Sequence, residues 1–246
     1  MLIILTMLVL GALLGFIGAG GAGFVIALLT VVFSIDIHTA LGTSLAAMSF
    51  TSLSGAYSHF QEKNIHLKIG LIVGIFAAIG SFIGAKFAAL IPADFLHYLT
   101  ASMLFLSAIL ILVKLFLLKD TANQKLMGNA ELWIKSIILG IITGIMSGTF
   151  GIGSAPFIQL GLLMLLNLSV RQSVGTTMLV IIPISLGGGL GYITEGYVDF
   201  LLLLKVLIGT MSGAYIGAKF TNLAPKSLLK TAIFATPAAA GLILLF

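Results

Sequence analysis

The sequence predicts an all-α polytopic membrane protein made of two inverted repeats. Of its 246 residues, 60% are hydrophobic and only 8% are charged, and the mean hydropathy is +1.24. A soluble core does not need that much apolar surface. Several apolar runs reach the roughly 20 residues that a helix needs to cross a bilayer, and none alternates like a β-barrel strand. The second half of the chain also repeats the first.

Eight apolar runs, separated by short polar breaks, give the order of the predicted elements. They cover residues 1–33, 38–59, 67–91, 95–118, 132–168, 172–194, 198–222 and 227–246. The longest break, residues 119–131, is the predicted linker. We therefore expect one transmembrane domain, residues 1–246, with a first repeat at about 1–118 and a second at about 132–246.

The repeat is visible without gaps at an offset of 133 residues. The segment "IGAKF" at 83–87 recurs at 216–220, and "GTS" at 42–44 matches "GTT" at 175–177. Because the match combines a five-residue identity with aligned glycine, proline and glutamate, it indicates a duplication, which is common among transporters.

The first run of each half is too long for one ordinary span. A helix over 1–33 would measure about 50 Å, whereas the hydrocarbon core is about 30 Å thick. Glycine-rich breaks interrupt both runs, "GAGGAG" at 18–23 and "SGTFGIGSAP" at 147–156. We expect two short helices joined by irregular backbone, which is tolerated at membrane depth only when protein or a cavity surrounds it. Three full spans follow each hairpin.

Positive charges predict how the hairpins enter the membrane. If each long run crosses once, seven Lys and Arg residues fall on one side and five on the other. If each run enters and leaves on the same side, ten fall on one side and only Lys86 and Lys205 on the other. The second distribution fits the positive-inside rule. It predicts inverted repeats with both termini outside, and it leaves open whether each hairpin arm crosses fully.

The glycine breaks and the helices after them predict an anion site. Free backbone N–H groups and the dipole at a helix start attract anions, and hydroxyls donate to oxyanions without a buried cation. Asp36 and Ser169 are suited to cap the following helices. The alternatives are close helix packing for the glycines and local backbone hydrogen bonds for the hydroxyls. The predicted substrate-binding residues are Gly20, Gly21, Gly23, Thr43, Ser44, Gly151, Gly153, Thr176 and Thr177.

These motifs resemble the TauE/SafE family of sulfite and organosulfonate exporters. The resemblance rests on "GFIGAGGAGF", its copy "GIMSGTFGIGSAPF", "ALGTSL", "SVGTTM" and "IGAKF", and it covers nearly the whole chain. It implies export of a small sulfur-containing anion, coupled to an ion gradient, across the inner (cytoplasmic) membrane of a bacterium or archaeon. Pro156 has no counterpart in the first half, so the two breaks are not chemically equivalent.

Charged residues near the span ends have two interpretations. His38, Arg171 and Lys86 are candidates for attracting the anion at its entrance, although snorkelling or plain interfacial placement also explains them. Glu62 and Glu195 match under the repeat and are candidates for ion coupling, although solvated loop carboxylates are the simpler explanation. No ionisable residue lies clearly at the middle of a span.

The sequence excludes some functions and leaves others open. Without cysteine, disulfides, thiolate metal sites and cysteine nucleophiles are excluded. The net charge of +5 indicates orientation rather than nucleic-acid binding. We expect a small anionic substrate and the lipid bilayer as partners, no cofactor or metal, and no catalytic residue. A homo-oligomer is compatible with the sequence. A passive anion channel is one alternative, because it would share this architecture. An intramembrane enzyme is a weaker alternative, because the sequence contains no GxSxG or zinc motif.

Overall fold

A computed structural model describes residues 1–17, 22–117, 128–152, 154–221 and 226–245, and within them the chain is helical with no strand. A π-helical turn, Leu28–Val32, directly follows the short helix Ala22–Ala27. The first half contains α1 (Leu2–Ile17), α2 (Ala22–Ala27), α3 (Ile37–Gln61), α4 (Leu67–Leu90) and α5 (Ala93–Leu117). The second half contains α6 (Asn129–Phe150), α7 (Ala155–Met164), α8 (Val170–Thr194), α9 (Phe200–Thr221) and α10 (Lys226–Leu245).

Four of the described helices are long and apolar enough to cross a membrane. They cover Leu67–Leu90, Ala93–Val113, Asn129–Phe150 and Arg171–Thr194. This finding supports the predicted class, an all-α multi-pass membrane protein.

Helices α3 and α8, which correspond under the repeat, begin and end at corresponding residues. Adding 133 to the bounds of α3 gives the bounds of α8. Asp36 and Ser169 cap these two helices as predicted: the Asp36 carboxylate accepts from the His38 N–H at 2.9 Å, and Ser169 forms a capping box with Gln172. The residues before the caps, Ser34 and Asn167, both have a positive φ.

Helices α3 and α8 pack in opposite directions. Gly42, near the start of α3, lies against Tyr192, near the end of α8, and a methyl group on Gly42 would lie 2.8 Å from the Tyr192 Cβ. Further along, Gly55 of α3 approaches Met178 of α8. Small residues allow this close approach of backbones.

The first helix of each half packs on the fourth helix of the other half. Gly144 of α6 lies so close to Ala77 of α4 that a methyl group would meet the Ala77 backbone. In the same way, Gly213 of α9 abuts Leu8 of α1. The first arm of each hairpin, α1 or α6, is therefore held mainly by the opposite half of the chain.

The second hairpin has unequal arms. Helix α6 has 22 residues, about 33 Å, and is long enough to cross the membrane. Helix α7 has ten residues, about 15 Å. The expectation of two short helices is therefore wrong for the first arm, because α6 begins before the apolar run and stays helical up to the break. Helix α6 also starts inside the predicted linker, at Asn129.

Candidate functional site

The break of the second half has unusual backbone geometry. Helix α6 ends at Gly151, whose φ of +66° is the left-handed conformation that glycine adopts without strain. Helix α7 begins after Ser154, which has a φ of +47° and makes no side-chain cap. A buried residue other than glycine in this conformation is strained, and such strain often marks functional sites.

This break touches the first half of the chain. A methyl group on Gly151 would meet the side chain of Leu41 and would lie 3.1 Å from Ile26 Cδ1. Leu41 is one helical turn before Ser44 on the same face of α3. The break of one repeat and the "GTS" motif of the other therefore lie side by side.

Five buried hydroxyls around this contact have no hydrogen-bond partner. Each of these side chains is at most 1% exposed, whereas most buried polar groups in proteins are paired. Leaving such a group unpaired costs about 1–3 kcal/mol, so a polar ligand is one way to satisfy them. We call this set the hydroxyl cluster, and it comprises Thr43, Ser44, Ser81, Ser147 and Ser154.

Packing contacts place the serines of α4 and α6 at one level. The Ser81 carbonyl lies where a methyl group on Gly148 would be. Ser147 is the chain neighbour of Gly148, so the two serines differ by about 1.5 Å in height along the helices.

Helices α3 and α8 reach the same level. Gly188 of α8 faces both the Ser81 hydroxyl and Leu45 of α3, and a methyl group on Gly188 would lie 2.9 Å from Leu45 Cδ1. Ser44 precedes Leu45. The contacts of Gly148, Gly151 and Gly188 therefore place Ser44, Ser81, Ser147 and Ser154 at about the same level of an apolar bundle.

The surroundings of the cluster have almost no net charge. The helices that supply or border the cluster contain five charged residues, and four of these lie at the opposite ends of their helices, about 18 Å or more away along the axis. The fifth, Lys86, forms an ion pair with Glu195 at 3.2 Å. The five are Lys68, Lys86, Glu131, Lys135 and Arg171.

The hydroxyls of "GTT" lie elsewhere and have partners. The Thr176 hydroxyl accepts a hydrogen bond from the His66 N–H at 3.0 Å. The Thr177 hydroxyl donates to the Ser173 carbonyl at 2.7 Å. Because α3 and α8 are antiparallel, Thr176 lies about 20 Å from Thr43 along the helix axis. The structure does not bring the two pairs of hydroxyls into one site.

The candidate entrance residues have different environments. His38 is 6% exposed, and its Nε2 lies 3.1 Å from the carbonyls of both Ala88 and Ile91. Its ring stacks on Tyr197 with centroids 4.7 Å apart. The His38 ring is thus engaged within the protein. Arg171 is exposed at the opposite end of α8.

The candidate coupling residues are also in different places. Glu62 is exposed and accepts a hydrogen bond from the Asn64 amide at 2.8 Å. Glu195 pairs with Lys86, so the structure joins a candidate coupling residue to a candidate entrance residue. This pair links α4 to the end of α8, at the same end of the helix bundle as the hydroxyl cluster.

The glycines of the first break are only partly described. Gly20, Gly21 and Gly153 lie outside the described residues. Gly23 is buried in α2 against Leu104 of α5, which is a packing contact.

The sequence did not predict three members of the hydroxyl cluster as substrate-binding residues. Ser147 and Ser154 lie within the quoted break "SGTFGIGSAP", and Ser81 lies in α4. Serine in a membrane helix usually bonds to its own backbone, as Ser52 does with the Met48 carbonyl at 2.6 Å. No sequence signal separates the two kinds of serine.

A multi-pass helical bundle with a buried polar site between its two halves is typical of a membrane transporter. The chain matches the profile of the family "Sulfite exporter TauE/SafE" over residues 3–244. The protein therefore belongs to the TauE/SafE family of membrane transporters.

Similar proteins carry a matching description. The chain is 71% identical to "Probable membrane transporter protein YdhB" of Bacillus subtilis, with 100% of both chains covered. It is 32% identical to "Probable membrane transporter protein YjnA" of the same organism, with 88% of each covered. It is 27% identical to "Probable membrane transporter protein MJ0441" of Methanocaldococcus jannaschii, with 92% of this chain and 88% of the relative covered. No solved structure matches the chain.

Proposed function

We propose that the protein is a secondary transporter that exports a small sulfur-containing anion, such as sulfite or an organosulfonate, across the inner membrane by alternating access. The observation that carries the proposal is the hydroxyl cluster, five buried hydroxyls without a partner on α3, α4, α6 and the N-cap of α7. The family description as a sulfite exporter supports the choice of substrate.

The chemistry of the cluster suits reversible anion binding. Serine and threonine hydroxyls donate hydrogen bonds to oxyanion oxygens. The N-terminus of α7 adds a partial positive charge of roughly half an elementary charge. A site built from neutral dipoles holds an anion without the strong attraction of a buried cation, so the anion can also leave.

The arrangement of the helices supports inverted repeats and alternating access. Helices α3 and α8 correspond in sequence and run in opposite directions where they touch, as an axis in the membrane plane would require. Helix α4 packs extensively on α8, whereas the corresponding α9 packs much less on α3. This asymmetry fits a transporter that is closed on one side and changes state by exchanging the two interfaces.

The predicted topology can be tested in a chain that has no native cysteine. Lys63 and Gly196 correspond under the repeat, and both have a positive φ just after α3 and α8. In intact cells, an impermeant thiol reagent should label Gly196→Cys and not Lys63→Cys. Permeabilised cells should show labelling of both. Labelling of both variants from the same side would contradict the inverted repeat.

Transport is best tested in proteoliposomes with the purified protein. Counterflow of labelled sulfite or methanesulfonate, with flux that saturates, is expected. Each lost hydrogen bond is worth about 1 kcal/mol, so Thr43→Val and Ser44→Ala should each weaken apparent affinity about fivefold. Thr177→Val is the matched control, because its hydroxyl bonds to the Ser173 carbonyl. Flux that rises linearly without counterflow would indicate a channel instead.

A further inference from the structure

We propose that the hydroxyl cluster selects singly charged oxyanions and rejects doubly charged ones, with Ser81, Ser147 and Ser154 as direct contacts of the anion. This inference rests on the proposed transport of an anion and specifies the charge state that the site accepts.

Little positive charge is available near the hydroxyl cluster to balance an anion. Lys86 is the one charged residue of the surrounding helices at this end, and its ammonium group is already paired with Glu195 at 3.2 Å. No unpaired cation among the described side chains of these helices lies near the cluster. The cost of removing an ion from water rises with the square of its charge in the Born description, so a dianion needs about four times the compensation of a monoanion.

The C-terminus of α6 and the N-terminus of α7 meet at the break. Two carbonyls at the negative end of α6 have donors: the Gly151 N–H donates to the Ser147 carbonyl at 2.8 Å, and the Tyr192 hydroxyl donates to the Gly148 carbonyl at 3.0 Å. The positive end of α7 has no side-chain cap. The uncapped N–H groups of α7 therefore attract an anion, but they supply at most roughly half a positive charge.

The hydroxyls of the cluster are neutral hydrogen-bond donors. Each of the five hydroxyls supplies one O–H, and all five are buried without a partner. A sulfonate or hydrogen sulfite head group, whose oxygens mainly accept, can satisfy them. Hydrogen bonds from neutral donors, together with roughly half a positive charge, offset the desolvation free energy of a monoanion far better than that of a dianion.

The experiment compares methanesulfonate with sulfate, two tetrahedral anions of similar size that differ by one charge. Isothermal titration calorimetry on the purified full chain is expected to give binding of methanesulfonate at least 100-fold tighter than that of sulfate. Ser147→Ala should weaken methanesulfonate about fivefold. The matched control is Thr143→Ala, one turn earlier on α6, whose hydroxyl bonds to the Leu139 carbonyl at 2.7 Å; it should leave affinity unchanged.

Sulfite provides an independent measurement, because it gains a proton near neutral pH to form hydrogen sulfite. The apparent affinity for total sulfite should rise as the pH falls, while that for methanesulfonate stays constant. Equal binding of methanesulfonate and sulfate would overturn the selectivity and leave anion transport standing. Unchanged affinity in Ser147→Ala would overturn its contact with the anion. Failure of methanesulfonate, sulfate and sulfite to bind at all would remove the proposed function itself.

Discussion

Replacing Ser154 by glycine should make the protein more stable and worse at binding its substrate. Ser154 has a φ of +47°, a conformation that costs a residue with a side chain about 1–2 kcal/mol. Glycine relieves this strain but loses about 0.5–1 kcal/mol through the freedom of its unfolded chain. Removing a buried hydroxyl without a partner adds up to about 1 kcal/mol. The net gain is therefore about 1 kcal/mol.

Thermal unfolding of the purified protein without ligand measures this gain. For a chain of this size, 1 kcal/mol corresponds to a rise in Tm of about 2–4 °C. The affinity for methanesulfonate should fall about fivefold, since one hydrogen bond is lost. Ser154→Ala should lose the same affinity while keeping the backbone strain, so it separates the two effects.

A matched control comes from an exposed serine with the same backbone conformation. Ser34 has a φ of +52° and lies in the loop before α3. Ser34→Gly should also raise the Tm, because it relieves a similar backbone strain, and it should leave the affinity for methanesulfonate unchanged. A Ser154→Gly variant that unfolds at a lower temperature, or that binds methanesulfonate as tightly as the parent, would refute the assignment of Ser154 to the site.

Three further predictions concern packing and charge. Gly144→Ala should destabilise the protein by about 1–3 kcal/mol, because the new methyl group meets the Ala77 backbone; a lower Tm checks this, and an unchanged Tm contradicts the close packing. Tyr192→Phe should cost about 1–2 kcal/mol, because it leaves a buried carbonyl of α6 without its donor; a Tm loss below about 2 °C would argue against that bond. Lys86→Met should change stability by less than about 1 kcal/mol, since the Lys86 side chain is 48% exposed; a large fall in Tm would indicate a stronger ion pair.

The class of the protein and the order of its elements could be predicted from the amino-acid sequence alone. Apolar runs of membrane length give helices because a bilayer leaves no other partner for backbone groups. The offset of 133 residues aligns the bounds of α3 with those of α8, and the caps at Asp36 and Ser169 follow from local chemistry. The topology derived from the positive charges remains a prediction.

Which hydroxyls are available to a ligand depends on how the helices pack in three dimensions. Thr43 and Thr176 match in sequence, yet Thr43 is unpartnered, whereas Thr176 accepts a hydrogen bond from a backbone N–H across 110 residues of chain. Ser147 and Ser52 look alike in sequence, but only Ser52 bonds to its own helix. Hydrogen-bond partners depend on which helices pack together. Small residues set that packing by letting helices that are distant in sequence approach closely. The local periodicity of the sequence does not show which helices pair in this way.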